Sequence, residues 1–462
     1  MKIQLVNPPV PNSISRCTRS GCFPPLDLLS LGTYLSANLP GVDVEILDGD
    51  ILSLSEIAPR LDADLVGLSP KVFSYPCCLE LAKIAHQRGA LTVMGGAWAS
   101  SLYGPILLNR PYVDVVVLGE GEKAILGIAA KHNFSRVPNI AYRCDDQVAT
   151  TGILVTELDE LPEVDYSLVD LDIYMQNYRM RFPVHGVKRP LSYYSQRGCY
   201  WYDKSGGCIF CRKQYSQNVR RSPTRFWRDV EHLTSRHALD LIWDVSDTFT
   251  EPMHWVEALA SSKPGHIQCQ FYLYARASDL DATMVSMLRT IGCMELLLGV
   301  ESGNDELLRS ANKGISRKMT IDAVQLCAEH SIEVFPTFLL GLPNEDAASL
   351  SDTISLAHQL VQCGNIHEIS SAILSPLPGS NLYHNLCRRL GSPDWLVRED
   401  NIDLATVQRT YVTEYTKTNM DSLIAANDAI GQLVDVDHRS SFGLMRGPYD
   451  GTQRATNNAE IA

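Results

Sequence analysis

At 462 residues, 45% hydrophobic and 20% charged, the chain is long enough for two or three cored domains and too apolar to be disordered throughout. Its formal charge of -13, without any sustained run of Lys and Arg, argues against nucleic-acid binding and points to a small-molecule substrate. The opening MKIQLVNPPVPNS meets proline before any long apolar run, so neither a secretory signal nor a membrane span is expected, and the expected location is cytoplasmic.

Along the first third, β-branched or apolar runs alternate with helical patterns: IQLVN, LDLLSLGTYLSANL, VEILD, LVGLS, CLELAKIAHQ, LTVMGG and VVVLGE. Strands separated by helices predict a doubly wound parallel sheet over residues 1–145, covered on both faces. Such a sheet binds ligands beyond the carboxyl ends of its strands. Small residues crowd those ends here, among them Gly95, Gly96 and Gly119, where glycine lets a ligand approach the backbone.

Residues 146–190, with acidic text such as TELDELPEVDYSLVD, read as a linker or connecting segment. A second alternating series then begins, LSYYS, LDLIWDV, IQCQFYLYA, MELLLGV, EVFPTFLLG and EISSAILSP, with helical stretches between. Six such β/α units over residues 191–390 predict a partial parallel barrel whose working face is the carboxyl end of its strands. Residues 391–462 read as a helical extension with a flexible polar tail.

The thirteen cysteines are scattered through a chain without a secretory signal, so a disulphide framework is not expected. Cys269, Cys293 and Cys327 lie in apolar patterns and read as small core residues. Cys199, Cys208 and Cys211 differ: they cluster in the Gly-rich loop GCYWYDKSGGCIFCRK after the first strand of the second series. Three thiolates on one loop can hold three irons of a 4Fe-4S cluster and leave the fourth iron open. A zinc knuckle needs a fourth Cys or His at short spacing, and none follows Cys211 before His232.

On this loop, with CIFC and Phe210 just before the third cysteine, the sequence resembles the radical S-adenosylmethionine superfamily. The usual spacing puts three residues between the first two cysteines. Here there are eight, YWYDKSGG, and Lys204 stands where a cysteine is usual, so Cys199 is the nearby candidate for the first ligand. Gly206 and Gly207 can take the backbone angles that return a longer loop to a cluster. Tyr200 and Trp201 read equally as a solvent shield for that cluster or as packing.

The barrel carries further resemblance. DVSDTFT places Asp247 near the methionyl amino group, LLLGVESGNDELL places Glu301 near the ribose or methionine part of the cofactor, and TFLLGLPNED places Gly341 beside the adenine. Arg276 and Lys313 stand at positions typical of this branch, where solvated or structural charges would look the same.

The first domain resembles the cobalamin-binding domain that precedes many such barrels, through PPLDLLSLGTYL, EILDGD, DLVGLS, VMGGAWASS and DVVVLGEGE in order. It lacks the Asp-x-His-x-x-Gly signature that supplies a lower histidine to cobalt, as is usual in this branch. The resemblance places Gly95, Gly96, Gly119 and Glu120 along the corrin and its nucleotide tail.

It implies a 4Fe-4S cluster, S-adenosylmethionine, cobalamin and an electron donor such as flavodoxin or ferredoxin. Methyl transfer to a poorly activated carbon or phosphorus of a small, natural-product-type substrate is the implied reaction. A radical cyclisation or rearrangement, a 3-amino-3-carboxypropyl transfer of the arsenic natural-product type, and a non-catalytic cluster-bearing redox sensor remain open beside it.

Overall fold

The computed structural model describes residues 1–11, 20–182, 186–212, 215, 217–398 and 402–434. The expected flexible tail from 435 onward lies outside the described residues. Among the described residues no helix is long and apolar enough to cross a membrane.

The apolar runs of the first third become β1 (Lys2–Asn7), β2 (Asp43–Asp48), β3 (Leu65–Leu68), β4 (Leu91–Met94) and β5 (Val115–Val117). They pair in parallel in the order β2-β1-β3-β4-β5. The order reverses between β1 and β3, and a crevice opens beyond the strand ends where neighbouring helices leave to opposite faces. Each face is covered. Leu28 and Leu35, from the helix Leu26–Asn38, join Ile125 and Ile128 on one side. Cys78, Leu81 and Ala85, from the helix Tyr75–Gln87, pack on the other.

Two antiparallel strands, β6 (Ile140–Cys144) and β7 (Gln147–Thr150), extend this sheet beyond β5. The expected boundary at 145 therefore falls in the turn of a hairpin. The segment that follows is packed rather than loose. Leu158, Leu161, Val164 and Tyr166 belong to the barrel core, and the Tyr166 hydroxyl donates to the Ser192 carbonyl at 2.5 Å.

The second series forms β8 (Pro190–Tyr193) and a short antiparallel pair, β9 (Gln196–Arg197) with β10 (Val219–Arg220). It continues through β11 (Leu241–Asp244), β12 (Gln270–Ala275), β13 (Cys293–Glu301), β14 (Glu333–Leu340) and β15 (Ser370–Ile373). Strands β8 and β11 to β15 lie side by side in chain order, all parallel, as the half-barrel expected from six β/α units. Cys269, Cys293 and Cys327 are buried in its core. Helices Leu404–Tyr415 and Met420–Gly431 pack against the last strands, the second of them on β15.

Candidate active site

Beyond the β9 turn the chain reaches Cys199, which is the N-cap of a short helix, Tyr200–Ser205. The eight residues between the first two cysteines are thus a folded element. Gly206 (φ 82°) and Gly207 (φ 77°) end the helix in left-handed conformations. A Cβ on Gly207 would lie 2.3 Å from the Tyr202 ring, so only glycine lets the chain turn back to Cys208 there.

The helix is fastened to the loop that follows the helix Asp305–Ser310. Trp201 Nε1 donates to the Asn312 carbonyl at 2.7 Å, and Asn312 Nδ2 donates back to the carbonyls of Gly207 (2.7 Å) and Ser205 (3.0 Å). The indole lies on Gly314, where a Cβ would come within 2.2 Å of the ring. The indole also carries the Arg276 guanidinium, 4.4 Å from the ring centroid, and Arg276 donates to the Lys313 carbonyl.

This arrangement brings Arg276, Lys313 and Glu301 to the cysteines. Lys313 Nζ donates to Glu301 Oε1 at 2.7 Å, both side chains being nearly buried. Burial opposes the Lys313 charge, but Glu301 and Cys208 outweigh it and hold the ammonium above its ordinary range. Cys208 and Cys211 share a hydrogen bond between their sulphurs, which lowers the Cys208 thiol and raises that of Cys211. Lys313 and Arg276 add to the lowering at Cys208.

On the other side, burial raises the Cys199 thiol, and the Asp247 carboxylate adds to that effect. Burial likewise raises the Asp247 carboxyl, opposed by a hydrogen bond from the Gly198 amide. Cys199 and Asp247 line one small cavity.

Thiolates are the donors a cubane requires. Cationic Lys313 and Arg276 face the Cys208–Cys211 pair, Cys208 is buried, and Cys211 is open on one side. Among the described residues no three His, Cys, Asp or Glu side chains converge as a single metal ion requires. A 4Fe-4S cluster asks for something different, one thiolate for each of three irons.

The strand ends of the first sheet face the barrel across a cavity of about 290 Å³. Gly95, Gly96, Gly119 and Glu120 line it from one side, and Tyr194, Arg197, Tyr215 and Asp247 from the other. Gly96 (φ 78°) and Gly119 (φ 81°) are in the left-handed region. A Cβ on Gly96 would approach Ser69 Oγ to 3.2 Å. The floor is apolar, with Leu5, Leu31, Val93 and Val117. A glycine rim over an apolar floor fits the edge of a large planar ligand or its tail. Glu120 is anchored there by the Thr156 amide, 2.7 Å from Oε2, while its buried Oε1 has no partner among the described residues.

The sequence placed Gly341 beside the cofactor, but both its backbone groups are taken. Its amide donates to Glu345, and its carbonyl accepts from the Tyr411 hydroxyl at 2.9 Å. A Cβ there would meet Leu423 of the carboxyl-terminal helices at 3.4 Å. Its φ of 89° is in the left-handed region.

One feature of the cavity escaped the sequence reading. Arg197 pairs bidentately with Glu122 across the domain boundary, at 2.5 and 3.1 Å. Ser30 donates to the same carboxylate at 2.9 Å, and the Tyr194 hydroxyl lies 3.0 Å from Ser30 and 3.1 Å from Arg197.

Residues 14–129 match the B12 binding domain family, and residues 193–357 match the radical SAM superfamily. An uncharacterised methyltransferase of Pyrococcus horikoshii, PH0819, is 27% identical over a 412-position alignment that covers 83% of this chain and 82% of that protein. An anaerobic magnesium-protoporphyrin IX monomethyl ester cyclase of Synechocystis is 28% identical over a 360-position alignment that covers 73% of this chain and 68% of its own length. In fold, the chain is similar to the radical S-adenosylmethionine methyltransferase TsrM of Kitasatospora setae, solved with cobalamin and a 4Fe-4S cluster. The TM-score is 0.64 at 16% identity, over 84% of this chain and 75% of that one.

Proposed function

Because the chain belongs to the radical S-adenosylmethionine superfamily, in its B12-binding-domain-containing branch, we propose that it methylates a small, natural-product-type molecule. The enzyme uses a 4Fe-4S cluster, S-adenosylmethionine and cobalamin. When bound, these groups supply an electron, a radical-forming carbon–sulphur cleavage and a methyl carrier. The observation that carries the proposal is the shared cavity, in which the glycine strand ends of the first domain and Asp247 of the barrel open on one space.

In this reading Cys199, Cys208 and Cys211 would hold the cluster. Asp247 would accept hydrogen bonds from the methionyl ammonium, and Glu301, fixed by Lys313, would orient the ribose or methionine part. Gly95, Gly96 and Gly119 would admit the corrin or its tail, with Glu120 at the rim. The Trp201–Arg276 stack would exclude water from the Cys208 side. Flavodoxin or ferredoxin is the fitting class of electron donor, which agrees with a cytoplasmic setting.

The test is anaerobic reconstitution with iron, sulphide and hydroxocobalamin, followed by reduction and mass analysis of the S-adenosylmethionine fragments. Methyl transfer gives S-adenosylhomocysteine together with 5′-deoxyadenosine. Release of 5′-deoxyadenosine alone would favour a cyclase or rearrangement, and 5′-methylthioadenosine an aminocarboxypropyl transfer. An intact cofactor would leave the non-catalytic sensor.

A further inference from the structure

Strands β8 and β11 stay joined as far as the Val245 amide, which donates to the Tyr193 carbonyl at 2.8 Å. Beyond that point the first strand runs on towards Cys199 and the second towards Asp247. The next two amides on the cysteine side, those of Ser195 and Gln196, both donate to one side-chain oxygen, Ser246 Oγ, at 3.1 and 2.9 Å. The Ser195 hydroxyl lies 3.2 Å from the same atom. Ser246 immediately precedes Asp247, and Ser195 and Gln196 lead into Cys199.

The serine hydroxyl is itself aimed. It donates to Asp244 Oδ1, which also accepts from the Ser246 amide at 3.0 Å and from the Ser195 amide at 3.3 Å. A hydroxyl has one hydrogen to give and two lone pairs to receive with. With the hydrogen committed to Asp244, the lone pairs of Ser246 are left for the two amides. Asp244 is 1% exposed, Ser246 3%, Ser195 0% and Gln196 2%, so water does not compete for these bonds. Asp247 adds to the link by accepting from the amide of Gly198, the residue before Cys199.

We propose that Ser246, oriented by Asp244, is a positioning residue that fixes Asp247 relative to Cys199, and so sets the two ends of the S-adenosylmethionine site against each other. This rests on the reading above, in which Cys199 holds the cluster and Asp247 receives the methionyl ammonium. A cofactor that has to reach an open iron and a carboxylate together is sensitive to a displacement of about 1 Å between them. Ser246 acts through the two loops and not on the cofactor.

The test uses anaerobically reconstituted enzyme. It reads iron content, S-adenosylmethionine affinity by titration of the unreduced protein, and the change in the electron paramagnetic resonance spectrum of the reduced cluster when S-adenosylmethionine is added. Ser246→Ala is expected to keep most of its iron, to bind S-adenosylmethionine about fivefold more weakly or worse, and to show an altered spectral change at saturation. Ser246→Thr, which restores the hydroxyl, should bind within about twofold of wild type. The double variant Ser246→Ala, Asp247→Asn should bind like Asp247→Asn alone, because the serine acts through that carboxylate. Wild-type affinity and spectrum in Ser246→Ala overturn the proposal, as do a loss that Ser246→Thr does not repair and a double variant whose two losses add. A Ser246→Ala protein that takes up no iron gives the serine to assembly of the loop and overturns it too. Unchanged affinity in Asp247→Asn defeats the reading above and this proposal with it, whereas a full Asp247→Asn effect beside an unaffected Ser246→Ala defeats this proposal alone.

Discussion

The Trp201 indole nitrogen donates to the Asn312 carbonyl at 2.7 Å, tying the segment between the first two cysteines to the loop that carries Lys313. The two are 111 residues apart in sequence. Removing the bond while keeping an aromatic ring, as Trp201→Phe does, should cost at least about 1 kcal/mol. Gly314→Val should do more, because its Cβ would enter the indole. Both should lower iron incorporation on anaerobic reconstitution, the glycine variant more severely. Normal iron content in Gly314→Val would separate the helix from cluster assembly.

Glu301→Gln and Asp247→Asn should each weaken S-adenosylmethionine binding and leave iron content nearly intact. Each would replace a charge-assisted hydrogen bond to the cofactor, worth about 1.5–3 kcal/mol, or roughly ten- to a hundredfold in affinity. Lys313→Met should reproduce the Glu301 effect, since it frees the carboxylate that Lys313 now holds at 2.7 Å. Isothermal titration under anaerobic conditions reads all three, and unchanged affinity in the first two would return them to structural roles.

The parts of this site legible in sequence are those with a local pattern. Gly206 and Gly207 announced a turn in the long cysteine interval, and both take left-handed angles there. The strand-end glycines were readable because helix–strand alternation fixes where strands end, and Gly95, Gly96 and Gly119 do line the cavity. The Glu122–Arg197 pair was not readable, because it joins residues 75 apart in different domains and a buried ion pair leaves no periodicity. Gly341 shows the converse: a family resemblance put its backbone beside a cofactor, while what packs on that backbone, Tyr411 and Leu423, comes from a part of the chain with weak signal.

Breaking the Glu122–Arg197 pair should be expensive. Arg197→Met leaves a carboxylate buried with only neutral donors, Ser30 and its own backbone amide, and losing one partner of a buried pair typically costs about 3–5 kcal/mol. The double variant Arg197→Met, Glu122→Leu should recover much of that loss, because neither charge is then desolvated. Urea unfolding of the three proteins tests this, and equal stability of the single and double variants would refute it.

Glu345 is fully buried, and burial lifts its carboxyl from 4.5 to about 7, against hydrogen bonds from the Gly341 and Leu342 amides. The folded protein therefore holds this proton more tightly than the unfolded chain. The contribution is fully present below about pH 4.5 and is lost as pH rises through about 7. Glu345→Gln, which cannot ionise, should remove that loss and be more stable than wild type at pH 8, by up to about 3 kcal/mol. Parallel stability curves for the two proteins between pH 5 and 8 would show that the carboxyl does not titrate in this window.

The last prediction concerns cobalamin. Among the described residues no histidine lines the interdomain cavity, and the first domain's His86 lies on the helix Tyr75–Gln87, away from the strand ends. A corrin held here would rely on shape, with the glycine rim admitting it and the apolar floor packing against it, so retention should not depend on a protein ligand to cobalt. His86→Ala and His132→Ala should retain hydroxocobalamin through desalting as wild type does. Gly96→Val should not: its backbone is left-handed, and even the Cβ would come within 3.2 Å of Ser69 Oγ. Spectra of the retained cobalamin provide an independent reading, since a histidine ligand would shift them and its removal would reverse the shift. A histidine variant that changes the spectrum would place a ligand where the cavity shows none, whereas a Gly96→Val protein with full retention would move the corrin away from this rim.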